Sequence, residues 1–378
     1  VETLRSELGP LIPEVQAQLG VSGLSLVLAD RHRVFWCEGF GVADAAAGGT
    51  VTPQTRFRAG SLAKPLTAAA ILGRAEAGRL DIDRSLNDLL PEFRIRTRGG
   101  AEDAPVTNRA ILCHHAGLPM DLAKGMWTDR SFGTVLEALH EEYLAFPPGL
   151  VFAYSNLGYS LLGVLIERAS GEPFAEHLER RILKPLGMER TRFPGRRAAD
   201  PDQAVGHRDG APLEPLPIRD LPACGLETTA ADLGRLIQAL LGGGQLDGRQ
   251  VIGTQSLETM FQSQNLSSHL DMGLYTGLGW FPEEGTLPGC GRVVRHSGST
   301  IGFGAELILL PEEGLGAAVL RGFPDLNPRY YTLTVEALQV KQGDAYRTVW
   351  SNEQQSAEWA YFRGTGDLGP VVKRPTGQ

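Results

Sequence analysis

Ser61-Leu62-Ala63-Lys64 is the only Ser-x-x-Lys in the chain, and it precedes Pro65-Leu66-Thr67-Ala68-Ala69-Ala70-Ile71-Leu72, a run of strong helix formers. Proline is accepted in a helix's first turn, where its missing N–H has no partner to lose. Pro65 therefore puts a helix start within a few residues of Ser61. Residues three apart share a helix face, so the Ser61 hydroxyl and the Lys64 amine can meet. A serine hydroxyl becomes a nucleophile when a neighbouring base takes its proton, and a desolvated lysine can be that base. The chain has five lysines against thirty-one arginines. Arginine keeps its proton in a protein, so lysine at 64 suggests an amine that must be able to release one. By itself the motif also fits a helix cap followed by an exposed first-turn lysine.

Two other short motifs carry groups of the same kind. Tyr154-Ser155-Asn156 is the only Tyr-x-Asn, lying between the loop at Pro147-Pro148-Gly149 and a helical run from Leu157. A loop on a rigid scaffold can aim a phenol at a neighbour; equally, Asn156 could cap the helix with Tyr154 half-buried. His296-Ser297-Gly298-Ser299 ends the strand-like Arg292-Val293-Val294-Arg295. Small residues there let another backbone approach, although a tight turn would use them too.

Composition sets the frame for these groups. With 378 residues, 42% hydrophobic and 21% charged, the chain reads as a globular protein long enough for two regions. A net charge of −8 without a basic block argues against a nucleic-acid partner. No apolar run reaches the roughly 20 residues that span a bilayer, so no membrane span is expected. Cys37, Cys113, Cys224 and Cys290 are far apart, which favours free, buried thiols over a disulfide framework or zinc site. Val1 in place of Met leaves a removed leader open, and compartment is unassigned, with a slight lean to a soluble cytoplasmic setting. No cofactor or metal is expected.

Periodicity then locates the elements. Leu4, Leu8, Leu11, Val15 and Leu19 suggest an N-terminal helix interrupted by Pro10 and Pro13. Residues 22–29 and 34–40 read as a hairpin turning at 30–33. Helices are expected at 107–113, 132–145, 156–170, 173–183 and 229–242, strands at 274–281, 291–297, 303–310 and 315–322, and a helix at about 328–342. Strands at both ends with helices between predict an α+β fold. One antiparallel sheet is built from N- and C-terminal strands and flanked by helices, with a mainly helical lobe beside it. The expected regions are 1–79 with 246–342 (sheet), 80–245 (helical) and a polar tail at 343–378, with a site in the cleft between the first two.

In order, Ser-x-x-Lys, Tyr-x-Asn and [Lys/His]-x-Gly resemble the serine β-lactamase and penicillin-binding-protein superfamily. The likeness is to its class C-like branch of esterases, D-aminopeptidases and acyltransferases. It extends over about residues 10–340, through Gly39–Asp44, Val51–Ser61, Ile111-Leu112-Cys113-His114-His115-Ala116-Gly117-Leu118-Pro119 (similar to the family's LLTHTSGLP), Pro222–Ala230 and Gly298–Phe303. The resemblance implies a β-lactamase/transpeptidase-like fold and an acyl-enzyme on Ser61, with Lys64 and Tyr154 sharing the proton work. It implies that Asn156 holds Lys64 and substrate, and that the backbone N–H groups of Ser61 and Ser299 form an oxyanion hole. His296, Gly298 and Ser299 would line the substrate. True β-lactamases of this branch usually carry Lys where His296 stands, so esters and amides become the expected substrates ahead of β-lactams, with transfer to a second acyl acceptor left open. A silent relative acting as a binding protein should have lost Ser61, Lys64 or Tyr154, and all three are present.

Other chemistries find less support. No Gly-x-Ser-x-Gly elbow occurs, no His-Glu-x-x-His occurs, and Gly39-x-Gly41 leads to Asp44 in place of a third glycine. His114 and His115 are expected to cap or pack in a loop.

Overall fold

The computed structural model describes residues 5–322 apart from 7, 45–47, 98–104, 122–125, 195–201, 209–210, 215, 284–286 and 288–289. The expected helix at 328–342 and the tail at 343–378 lie outside the described residues.

A seven-stranded antiparallel sheet joins the two ends of the described chain. Its strands are β1 (Gly23–Asp30), β2 (Val34–Asp44), β3 (Gly48–Thr50), β6 (Phe281–Glu283), β7 (Val293–Thr300), β8 (Phe303–Leu310) and β9 (Leu315–Arg321). They run in the order β6-β7-β8-β9-β1-β2-β3. The closing seam is β1 on β9, in register from Leu24 opposite Arg321 to Asp30 opposite Leu315. Each strand sends alternate residues to opposite faces. Leu24, Leu26, Leu28, Ile308 and Val319 join Ile12 of α1 (Leu11–Leu19) in one core. Val27, Ala29, Leu307, Leu309 and Ala318 join the other, with Leu233 and Ile237 of α6 (Ala230–Leu241). In α6, Leu233, Leu236, Ile237 and Leu240 recur at the spacing of one helix face.

Four elements on that second face frame the site. They are α2 (Ala63–Glu76), α3 (Asn108–Leu112), α4 (Asn156–Ser170) and the short α5 (Leu221–Cys224). Every residue of α2 from Ala63 to Leu72 is buried. Its alanines allow this, because a helix apolar on all sides can be enclosed and small side chains let neighbours come close. A two-stranded ribbon of β4 (Phe57–Gly60) and β5 (Leu226–Thr228) delivers the chain to Ser61.

Two expected elements differ. The strand at 274–281 is confined to Phe281–Glu283, because Gly279 is left-handed and Leu278 N–H is taken by the Met260 carbonyl. The helix at 132–145 is a 3-10 turn, Phe132–Thr134, followed by Val135–Leu139. Beyond it Arg96 N–H bonds Glu142 O and Leu144 N–H bonds Arg96 O, which draws the chain out of the helix. Among the described residues the short helices Leu86–Leu89 and α5 were not anticipated, nor was the longer α7 (Thr254–Phe261), whose Leu257, Met260 and Phe261 are buried.

Candidate active site

Ser61 sits in the turn between β4 and α2. Gly60 before it has φ +53°, a left-handed conformation that costs glycine little. Three residues on, Lys64 is wholly buried. Its Nζ lies 2.7 Å from Asn156 Oδ1, 2.9 Å from the Ala223 carbonyl and 3.2 Å from Ser61 Oγ. Two of these partners are carbonyl oxygens, which can only accept and so occupy two N–H bonds. The third direction faces Ser61: an ammonium donates to the hydroxyl there, and a neutral amine offers its lone pair to the hydroxyl proton. The nitrogen also lies 4.6 Å from the Tyr154 ring centre and 5.4 Å from that of Tyr159, where ring faces favour a cation.

Tyr154 O–H donates to Ser61 Oγ at 2.9 Å. The chain around it is fixed on both sides. Ser155 is the N-cap of α4, its hydroxyl accepting from Gly158 N–H at 3.0 Å. The cap is thus one residue earlier than the alternative that used Asn156. Asn156 is left free to accept from Lys64 and to donate through Nδ2 to Asp121 at 2.8 Å. Burial raises the Asp121 carboxyl above its ordinary value, and the Asn156 hydrogen bond opposes this. On the other side, Phe152 N–H donates to Asp271 Oδ1 at 2.7 Å, and Asp271 also meets His115 Nε2 at 2.7 Å.

His114 packs inside the site, not merely in a loop. Its ring stacks on Tyr154 with centroids 4.3 Å apart. Its carbonyl accepts from Ala153 N–H at 2.7 Å and its Nδ1 accepts from Ser155 N–H at 3.1 Å. One residue therefore grips the backbone on both sides of Tyr154. It does so from φ +59°, a conformation uncommon for a non-glycine residue. Burial, then the Lys64 charge, holds its imidazole well below its ordinary pKa. It stays neutral beside the lysine.

The opposite wall is β7. An ideal Cβ on Gly298 would fall 1.9 Å from Ala59 O and 3.1 Å from Ser61 N, while one on Gly60 would fall 2.8 Å from Ser299 N. Only glycine allows this approach of strand to turn, and it sets the Ser61 and Ser299 backbones against each other. His296, two residues before Gly298 on the same strand face, is buried, with Phe281 at 5.3 Å between ring centres. Burial and then the Lys64 charge lower its pKa from 6.5 to about 3. The three stretches expected from the motifs thus converge: Ser61, Lys64, Tyr154 and Asn156 in direct hydrogen-bond contact, and His296, Gly298 and Ser299 along the facing strand.

A family model described as Beta-lactamase matches residues 10–330. The chain belongs to the beta-lactamase family. It is 27% identical over 344 residues, 88% of the chain, to Protein flp of Staphylococcus aureus (strain MW2), and spans 65% of that relative's length. Over 233 residues, 58% of each protein, it is 30% identical to Esterase EstB of Burkholderia gladioli. The octameric penicillin-binding protein homologue from Pyrococcus abyssi superposes with a TM-score of 0.73 at 25% identity, covering 89% of this chain and 78% of that one. A class C beta-lactamase shares the fold, with a TM-score of 0.76 at 21% identity, covering 90% of this chain and 97% of that one.

Three contributors to the site had no signal of their own in the motifs. The Ala223 carbonyl and Asp121 act through Lys64 and Asn156, and neither residue type announces that. His114 lay in the segment similar to LLTHTSGLP, so its position was visible but its contact with Tyr154 was not. Among the described residues no helix is long and apolar enough to cross a membrane.

Proposed function

We propose that this beta-lactamase family protein is a serine hydrolase or acyltransferase working through an acyl-enzyme on Ser61, with an ester or amide as its small-molecule substrate. The observation that carries this reading is the meeting of the Tyr154 phenol and the Lys64 amine on one hydroxyl, at 2.9 and 3.2 Å. Ser61 Oγ attacks the substrate carbonyl carbon as its proton passes to the Lys64–Tyr154 pair, and the C–O or C–N bond to the leaving group then breaks. The same pair returns the proton to the departing oxygen or nitrogen. Water, or a second acceptor with an O–H or N–H, repeats the sequence in reverse to free Ser61. Asn156 keeps Lys64 aimed. The Ser61 and Ser299 N–H groups would receive the oxyanion in this reading, a contribution typically worth a few kcal/mol. In this reading the helical region 80–245 brings Tyr154 and Asn156, and the sheet regions 1–79 and 246–342 bring Ser61, Lys64 and His296.

A neutral histidine at 296 lacks the fixed positive charge that would hold a β-lactam carboxylate, which ranks esters and amides above β-lactams. Steady-state kinetics on simple acyl esters and on cephalosporins, for wild type and Ser61→Ala, test the reading. Wild type should have the larger kcat/KM on esters and Ser61→Ala should lose turnover of both. Efficient cephalosporin turnover would favour a true β-lactamase. Ester turnover that survives Ser61→Ala would remove Ser61 from the chemistry.

A further inference from the structure

His296 offers the site a hydrogen-bond acceptor that no described residue uses. Its Nδ1 lies 2.7 Å from the carbonyl oxygen of Ser297. A carbonyl only accepts, so that contact assigns the proton to Nδ1 and leaves Nε2 with a bare lone pair in the neutral ring. Nε2 is buried and has no hydrogen-bond partner among the described residues. His296 itself is 2% exposed. Of the rings about it, Phe281 is apolar, and His114 commits its Nδ1 to Ser155 N–H, while its own Nε2 also lacks a partner among the described residues. Phe281 lies 5.3 Å away, and Phe281 in turn faces Phe152 at 6.1 Å and His114 at 6.5 Å. Leaving a buried acceptor unpaired costs free energy, and a ligand's donor is one way such a group is satisfied.

The direction is given by the strand. Gly298, on the same face of β7, points its missing side chain at Ala59 O and Ser61 N, so His296 stands along the wall that faces the nucleophile. The Lys64 charge acts on it more strongly than that of Arg295. A leaving group must reach the Lys64–Tyr154 pair to collect its proton, so His296 borders the leaving-group side.

Resting on the acyl-enzyme reading, we propose that His296 Nε2 accepts a hydrogen bond from an uncharged O–H or N–H on the leaving group, and later from the same kind of group on an acyl acceptor. The substrate class is then an ester or amide whose departing part is a hydroxylated alcohol or an amine bearing a donor. A carboxylate at this place would set acceptor against acceptor. A lysine there, with three donors and no acceptor, would ask for the opposite chemistry.

Three esters of one acid, phenylacetic acid, separate the possibilities: 2-hydroxyethyl, 2-methoxyethyl and carboxymethyl. The first carries a donor, the second removes the donor without adding charge, and the third places a carboxylate. Wild-type kcat/KM should favour hydroxyethyl over methoxyethyl by about tenfold, the scale of one hydrogen bond to a buried partner, with carboxymethyl the poorest. His296→Lys should lose the hydroxyethyl preference and make carboxymethyl the best of the three. Intact mass after rapid quench is recorded alongside for each ester. Equal wild-type rates for hydroxyethyl and methoxyethyl, with the acyl adduct on Ser61 present, would overturn the acceptor role and leave the acyl-enzyme reading standing. No adduct with any ester would remove both. Should His296→Lys not fold, the wild-type ratio of hydroxyethyl to methoxyethyl decides the case alone.

Discussion

Replacing Gly298 with alanine tests whether the contact between strand and turn positions the reacting groups. An ideal Cβ at 298 would stand 1.9 Å from the Ala59 carbonyl oxygen and 3.1 Å from the Ser61 nitrogen, and ordinary van der Waals contact begins at 3.4 Å. Accommodating the methyl therefore needs about 1.5 Å of movement against Ala59. Both obstacles are backbone atoms and cannot rotate aside. Either β7 lifts away, carrying Ser299 and His296 with it, or the 59–61 turn retreats and takes Ser61 from Tyr154 and Lys64. A displacement of about 1 Å at reacting groups costs on the order of 10²-fold in rate, so Gly298→Ala should lower kcat/KM for a p-nitrophenyl ester about 10²-fold. Overpacking should cost about 1–3 kcal/mol of stability, which denaturant unfolding measures separately. Gly73→Ala in α2 is the matched control. A Cβ there meets nothing within 4 Å, and alanine is favoured over glycine in a helix by about 1 kcal/mol, so rate should hold while stability rises. A Gly298→Ala enzyme with the wild-type kcat/KM would refute the idea that this approach aligns nucleophile and oxyanion donors.

Other perturbations separate the remaining contributions. Lys64→Arg keeps a cation but cannot release a proton; the pre-steady-state acylation burst should slow about 10³-fold, and a wild-type burst would exclude amine base chemistry. His114→Asn keeps an acceptor for Ser155 N–H and tolerates the left-handed backbone, whereas His114→Phe keeps a ring but strands that N–H. In denaturant unfolding the Phe variant should be the less stable, by about 2–4 kcal/mol relative to wild type, and the reverse order would remove the backbone grip from the account of Tyr154. Glu306 supplies a pH test. Burial raises its carboxyl from 4.5 to about 7, with Arg295 opposing the shift and Glu283 adding to it. The folded state holds the proton more tightly, so the neutral carboxyl's contribution is complete below pH 4.5 and is lost as pH rises through 7. Relative to Glu306→Gln, wild type should lose about 3 kcal/mol between pH 4.5 and 8; parallel stability curves would contradict this.

Local pattern pointed to the groups proposed to react because each sat in a spacing that chemistry constrains. Ser61 and Lys64 share a helix start, and Pro65 marks that start in the sequence. Gly298 is legible as a place for close approach, although only coordinates show that Ala59 O and Ser61 N are what approaches. Long-range partners left no mark. The Ala223 carbonyl that holds Lys64 belongs to a residue whose side chain says nothing, and Asp121 matters only through Asn156. His114 was a loop histidine until its left-handed backbone put its ring on Tyr154, forty residues away in sequence. For the fold, alternation located the strands of the sheet's C-terminal half, since one-residue shifts would exchange the two cores. Alternation misled at 274–281, where Leu278 and Trp280 are buried but Gly279 is left-handed and the Met260 carbonyl takes Leu278 N–H. The helix at 132–145 ends early because pairing with Arg96 outweighs local propensity.

Peptide mapping of enzyme quenched during turnover of an activated ester tests the centre of this account most directly. The peptide containing Ser61 should gain one acyl mass, the gain should vanish in Ser61→Ala, and in Lys64→Arg it should accumulate far more slowly. An acyl group found on another residue, or a Ser61 peptide unmodified while ester is being consumed, would contradict the chemistry assigned to the meeting of serine, lysine and tyrosine.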